Sequence, residues 1–146
     1  MSQNADVLRS EFDLDFTYTR TYGAVMSQFF TELKDQKVLG IKGSQGQVIC
    51  APLEYDPQTA EGLSEFVELS DTGVVKTWSW VNQPLDKHPL QKPFAWVLVQ
   101  IDGADTSMLH VLDADKSVVK TGMKVKIRWA EDRVGTIRDI ACFEPA

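Results

Sequence analysis

The chain contains only two cysteines and two histidines in 146 residues, and no Cys-x-x-Cys pair of the kind that forms a zinc knuckle. Cys50 and Cys142 lie far apart among apolar neighbours and read as reduced, packed side chains; only a distance could decide for a disulfide instead. No apolar run approaches the roughly 20 residues of a membrane span, and Met1-Ser-Gln-Asn-Ala-Asp6 lacks the basic-then-apolar order of a secretion leader. These absences point to a soluble, cytoplasmic protein. Also missing are a Gly-x-Ser-x-Gly elbow, a glycine-rich phosphate loop, a dinucleotide fingerprint and a metal-binding triplet. His88 stands in the Pro84 to Pro93 loop and His110 inside a strand pattern, and neither adjoins a nucleophile at a recognisable spacing. Ser107, the nearest candidate, is three residues from His110 and so falls on the other face of a strand. His110 reads as a partly buried strand residue rather than a base. The chain is expected to be no enzyme by itself.

What is present is a β-rich, globular composition: 43% hydrophobic residues with four Trp and seven Phe exclude a disordered chain. The length fits one domain with a small appendage. The last third reads as four short strands. Phe94 to Ile101 is a continuous apolar run, expected of a strand covered on both faces, and Gly103-Ala-Asp105 turns into Met108 to Leu112. Met123, Val125, Ile127 and Trp129 alternate with Lys124, Lys126 and Arg128, the two-residue period of a half-buried strand. Gly135 to Phe143 closes the series, and Val74 to Val81 adds a fifth strand upstream. Five short antiparallel strands favour a closed or partly closed barrel, since closure removes exposed edges.

The first third has a different grammar. Phe12, Leu14, Phe16 and Tyr18 alternate with Asp13, Asp15, Thr17 and Thr19, which predicts an extended arm over residues 1–20 with one apolar face to bury. Thr21 is placed to cap a helix in which Tyr22, Val25, Met26, Phe29 and Leu33 follow the helical period, ending near Asp35. Lys37 to Lys42, a Gly43-Ser-Gln-Gly46 turn and Gln47 to Cys50 then form a hairpin, and Pro52 and Pro57 keep Ala51 to Ala60 a loop. The divisions are an arm (1–20), a helix with hairpin (21–62) and a barrel (63–146). Asp105 reads as turn chemistry.

Charge is uneven. Lys116, Lys120, Lys124, Lys126, Arg128, Arg133 and Arg138 stand against Glu131 and Asp132, a local +5 on a chain of −6. Such a segment can attract phosphate or an acidic partner surface, while a solvated outer barrel face accounts for the same alternation.

In this order the chain resembles a family in which a rubredoxin-like zinc ribbon joins an oligonucleotide/oligosaccharide-binding (OB) barrel, found beside thiolase-like and other acyl-CoA enzymes. The likeness spans roughly residues 22–145. It is carried by Phe29-Phe30, Gly40-Ile-Lys-Gly-Ser-Gln-Gly-Gln-Val48, Ala51-Pro52, Glu68 to Val75, Pro93 to Asp102, Thr121 to Val125 and Cys142-Phe-Glu-Pro145. The family's ribbon holds zinc with two Cys-x-x-Cys knuckles, and the resemblance places these at Gly43 and Gly46 and at Asp56 and Thr59, where no thiol or imidazole stands. Cys50 lies between the knuckles and cannot rescue the site, and Asp56 alone would not retain zinc. The fold implied is mostly β: an N-terminal helix and a degenerate, metal-free ribbon, held by Ile41, Val48, Ile49, Leu53 and Tyr55, followed by a five-stranded OB-type barrel.

Three functions compete. The resemblance implies an accessory subunit that docks on a thiolase-like or retro-aldolase acyl-CoA enzyme as a hetero-oligomer, with a homodimer as its form alone. Phe12, Leu14, Phe16 and Tyr18 would be the docking face. Coenzyme A or an acyl-CoA is the implied ligand, with no other cofactor and no zinc; Trp78, Trp80, His110, Lys124, Lys126 and Arg128 are the candidate ligand residues. The second reading is an OB module for single-stranded nucleic acid, with bases stacked on Trp78, Trp80 or Trp96 and the basic residues following the backbone. A pI near 4.8 opposes it. Against both, Trp78 and Trp80 at a two-residue period also fit plain strand packing. The third, an autonomous acyl-CoA hydrolase or transferase, has no nucleophile to support it.

Overall fold

The computed structural model describes residues 9–146. The first eight residues of the predicted arm lie outside the described residues. Phe12, Leu14, Phe16 and Tyr18 carry no secondary structure and are 68–81% exposed, so the apolar face of the arm is not buried on its own chain.

Helix α1 (Ala24–Lys34) buries Val25, Phe29 and Leu33, one stripe at intervals of four residues. Thr21 does not cap it. Gly23 stands at the cap with φ +85°, and the carboxylate of Glu54, a residue of the proline loop, accepts from Val25 N (2.9 Å) and Met26 N (3.4 Å). Only a residue without Cβ fits there, because a side chain at Gly23 would collide with Glu54. At the far end, Gln36 adopts φ +61° and Lys37 N donates to Glu32 O, closing the helix near Asp35 as its period predicts.

Strands β1 (Val38–Lys42) and β2 (Val48–Ile49) form the expected hairpin, and β3 (Phe66–Leu69) adds to the other side of β1. The hairpin therefore extends into a three-stranded sheet in which Val38, Leu39 and Ile41 are buried. Of the side chains predicted to hold the ribbon, Ile41 and Ile49 are buried and Val48 is half-buried. Leu53 and Tyr55 instead lie exposed, since the loop there is held by backbone hydrogen bonds, Leu63 N to Glu54 O and Asp56 N to Glu61 O.

The remaining strands are β4 (Thr72–Val81), β5 (Phe94–Ile101), β6 (Met108–Leu112), β7 (Lys124–Trp129) and β8 (Ile140–Pro145). They close a barrel in the order β4-β5-β6-β8-β7, every ladder antiparallel except β6 with β8. The register of β7 is the one its alternation predicts: Met123, Val125 and Ile127 are buried, Trp129 is half-buried, and Lys124, Lys126 and Arg128 point out. Strand β8 starts later than its apolar run. A 3-10 turn (Ile137–Asp139) precedes it, and the buried Asp139 carboxylate accepts from Val134 N and Gly135 N, folding Gly135 back before the ladder begins. Strand β5 is not covered on both faces, since Leu98 and its cross-strand partner Leu109 are both exposed.

Helix, small sheet and barrel share one hydrophobic cluster, which includes Phe29 and Leu33 of α1, Val38 and Leu39 of β1, and Val99, Ile101 and Ile140 of the barrel. Asp105 does more than shape a turn. Its carboxylate accepts from Val48 N (2.8 Å), its own N–H donates to Val48 O (2.8 Å), and Thr106 Oγ1 bonds both N and O of Cys50. Among the described residues no helix is long and apolar enough to cross a membrane.

Candidate functional site

Two nominated residues fall on one row of the barrel's inner face. Val97 of β5 lies opposite Trp78 of β4 and opposite His110 of β6. A strand spacing of roughly 4.8 Å puts the two outer backbones about 10 Å apart. Trp78 can face this way because β4 carries a bulge between Val75 and Thr77, after which the strand runs on past β7 and pairs with β5 alone. Trp78 is 36% exposed at that open end, while Trp80 packs against the core with Lys116 Nζ 5.9 Å above its ring. His110 is half-buried edge-on to Phe143 at 5.8 Å, and its Nδ1 is buried without a hydrogen-bond partner among the described residues. Burial lowers its pKa, with the backbone of Ile137 and Val111 pulling the other way, so the ring favours the neutral form. Among the described residues no serine, cysteine or carboxylate side chain is hydrogen-bonded to Nδ1.

The basic residues lie on the opposite face and are largely spent on acids. Arg128 bridges Asp113 (2.8 Å) and Glu144 (3.2 Å), Lys126 reaches Glu144 (3.6 Å), and Lys92 also pairs with Asp113 (2.8 Å). Partial burial alone would raise the Asp113 carboxyl, but Lys92 and Arg128 hold it below its ordinary value. Arg133 donates to Lys34 O and Ala130 O and so ties the end of α1 to the barrel. Lys124 carries no ion pair among the described residues. The two tryptophans and the three bases therefore do not converge on one site. Two shallow depressions, one beside Val74, Lys76 and Gln100 and the other at Pro84 to Lys87, contain none of the nominated residues.

Trp96, the third stacking candidate, is occupied. It packs edge-on to Phe94 (5.5 Å) and His88 (6.2 Å) beneath the Pro84 to Pro93 loop, over buried Val111 and Cys142. His88 Nδ1 accepts from Leu85 N, so this histidine organises its own loop. Both cysteines are free and buried, and burial pushes their thiols up, to about 12 for Cys50 and about 11 for Cys142.

The four knuckle positions do not suit a metal. A Cβ at Gly43 would stand 2.8 Å from Asp56 Oδ2, and both Asp56 oxygens already accept backbone N–H groups. Among the described residues no three His, Cys, Asp or Glu side chains gather. Asp56, Glu54, Asp105 and Asp139 are the working polar residues that the sequence did not single out as such. The Asp-Pro-Gln-Thr order after Asp56 is the one local signal, a carboxylate ahead of turn N–H groups.

Residues 66–130 match the model of a family described as the ChsH2 C-terminal OB-fold domain. The barrel is an OB-fold, and this stretch of it is similar to that family's domain. A DUF35-family protein of unknown function from Sulfolobus solfataricus superposes with a TM-score of 0.59 at 24% identity, over 72% of this chain and 78% of that one. A chain of the Ltp2-ChsH2(DUF35) aldolase superposes with a TM-score of 0.60 at 18% identity, over 81% of this chain and 91% of its own. No protein of curated function matches the sequence. The mostly β architecture, helix and small sheet followed by a closed five-stranded OB barrel, is the one the resemblance implies.

Proposed function

We propose that this chain is a non-catalytic accessory subunit that docks on an acyl-CoA enzyme of the thiolase-like or retro-aldolase type. The observation that carries the reading is the agreement of two likenesses. The barrel matches the ChsH2 OB-fold model, and helix, ribbon and barrel together superpose on a chain of the Ltp2-ChsH2(DUF35) aldolase. Two features of the chain support it. His110, half-buried on the inner barrel row, has no side-chain partner at Nδ1 among the described residues. The arm also leaves Phe12, Leu14, Phe16 and Tyr18 bare, an apolar area that a partner can cover.

In this reading the subunit works in the cytoplasm and contributes to a coenzyme A or acyl-CoA channel completed by the enzyme. Trp78, exposed at the open end of the barrel, offers a ring to an adenine, and Lys116, above the packed Trp80, is better placed for a phosphate than the paired Lys126 or Arg128. A single-stranded nucleic-acid role is less favoured, because Trp96 is packed away and the outer bases are neutralised by Asp113 and Glu144.

Co-expression with an acyl-CoA enzyme encoded beside this chain tests the proposal. The pair should co-elute, the partner's turnover should fall when this chain is left out, and this chain alone should show no thioesterase or thiolase turnover. A partner that is soluble and fully active by itself, with no co-elution at micromolar concentration, rejects the accessory role.

A further inference from the structure

Two turns that a zinc ribbon would aim at one metal ion are fastened here by one carboxylate. Asp56 is 2% exposed, and its oxygens divide between the turns. Oδ2 accepts from Ser44 N (2.7 Å) in the β1–β2 turn, while Oδ1 accepts from Gln58 N (2.7 Å) and Thr59 N (3.1 Å) in the following loop. The bonds to Gln58 and Thr59 alone are ordinary turn chemistry, since the donors are two and three residues away. The bond to Ser44 is not local: its donor lies twelve residues earlier, in the opposite turn. At the rim, Gln45 Nε2 donates to Gln58 Oε1 (2.6 Å) across the same gap. Hydrogen bonds from N–H groups to an ionised carboxylate are about twice as strong as neutral ones.

We propose that Asp56 performs the mechanical task of the absent metal, locking the two turns face to face. The ribbon then keeps its shape independently of zinc supply and of thiol oxidation, whereas small modules held by zinc unfold when it is removed. The glycines at the first knuckle belong to this device. Gly43 admits the carboxylate because it has no Cβ, and Gly46 takes φ +79° to close the turn onto Gly43 O.

The full-length chain tests this in two ways. Elemental analysis after dialysis should find no stoichiometric zinc, and a strong chelator should leave the thermal midpoint unchanged. One zinc per chain, or a chelator-sensitive midpoint, overturns the proposal. Amide hydrogen exchange in Asp56→Asn and Asp56→Ala should then quicken about tenfold or more at Ser44, the loss expected for one charge-assisted bond. Amides of Val97 and Ile127 in the barrel serve as the unmoved control. Asparagine keeps the size of the side chain and one acceptor, so it carries the test if the alanine variant fails to fold. Unchanged exchange at Ser44 in Asp56→Asn refutes the lock.

Discussion

Carboxylates hold the irregular parts of this chain by accepting backbone N–H groups: Glu54 at the helix start, Asp56 between the ribbon turns, Asp105 at the ribbon–barrel seam and Asp139 before the last strand. Each answers a local shortage of backbone partners. For Asp56 the bond from Ser44, then that from Gln58, draws the pKa down to about 2 from an ordinary carboxylate value near 3.9. A depressed folded-state pKa stabilises the fold fully above the unfolded value, and that contribution is lost as pH falls from about 4 towards about 2. The unfolding midpoint in urea should therefore fall more steeply over this window in the natural chain than in Asp56→Asn. Parallel slopes would remove Asp56 from the acid response. The cysteines make a second prediction. With folded-state thiols near 12 and 11 and no exposure to speak of, neither should react with a chromogenic disulfide at pH 8, and both should react once the chain is unfolded. Rapid labelling of the native protein would contradict the burial of Cys50 and Cys142.

At the scale of elements, the test is strand register. Ile127 is 5% exposed and Lys126 points out towards Glu144. Ile127→Asp buries a carboxylate without a partner and should cost several kcal/mol, roughly 3 or more, a large part of a small domain's stability. Lys126→Asp removes an exposed pair and places like charge near Glu144, a loss of about 1 kcal/mol at most. Equal losses in chemical denaturation would refute the register. This register was legible because period-two alternation in Met123 to Trp129 dictates a face directly, and the period of Val25, Phe29 and Leu33 did the same for α1. Pairing between distant segments was not legible. Phe66 to Leu69 pairs with β1 across a loop of more than fifteen residues that follows β2, and the Glu54 cap comes from a residue about thirty positions away from the amides it satisfies. The bulge in β4 is a third case. It turns Trp78 and Trp80 inward beyond the reach of β7, so a site drawn from tryptophans and β7 lysines together splits across two faces. Neither alternation nor charge count can show which acid neutralises which base, and Asp113 lies fifteen residues before Arg128.

For the whole molecule, the arm is the apolar surface that stands uncovered. A closed barrel presents no free ladder between β4 and β7, and the arm's apolar residues stay 68–81% exposed, far more than isolated surface leucines need explain. The net charge of −6 argues against a nucleic-acid partner. Most soluble enzymes of multi-subunit type assemble with two-fold symmetry, and a two-fold homodimer offers each docking surface twice. The expected assembly with an acyl-CoA enzyme is therefore two copies of this chain on a partner dimer, which light scattering coupled to sizing reads as a mass. Removing residues 1–20 should leave the fold intact, because among the described residues of the arm none packs into the core, and circular dichroism and the thermal midpoint should barely change. The same truncation should weaken co-elution with the partner by at least tenfold in apparent affinity, as expected when several exposed aromatic anchors are lost from an interface. Full retention of binding would move the interface to the barrel, where exposed Leu98 and Leu109 form the next apolar pair. Loss of the fold itself on truncation would mean that the arm packs on its own chain, contrary to its exposure here.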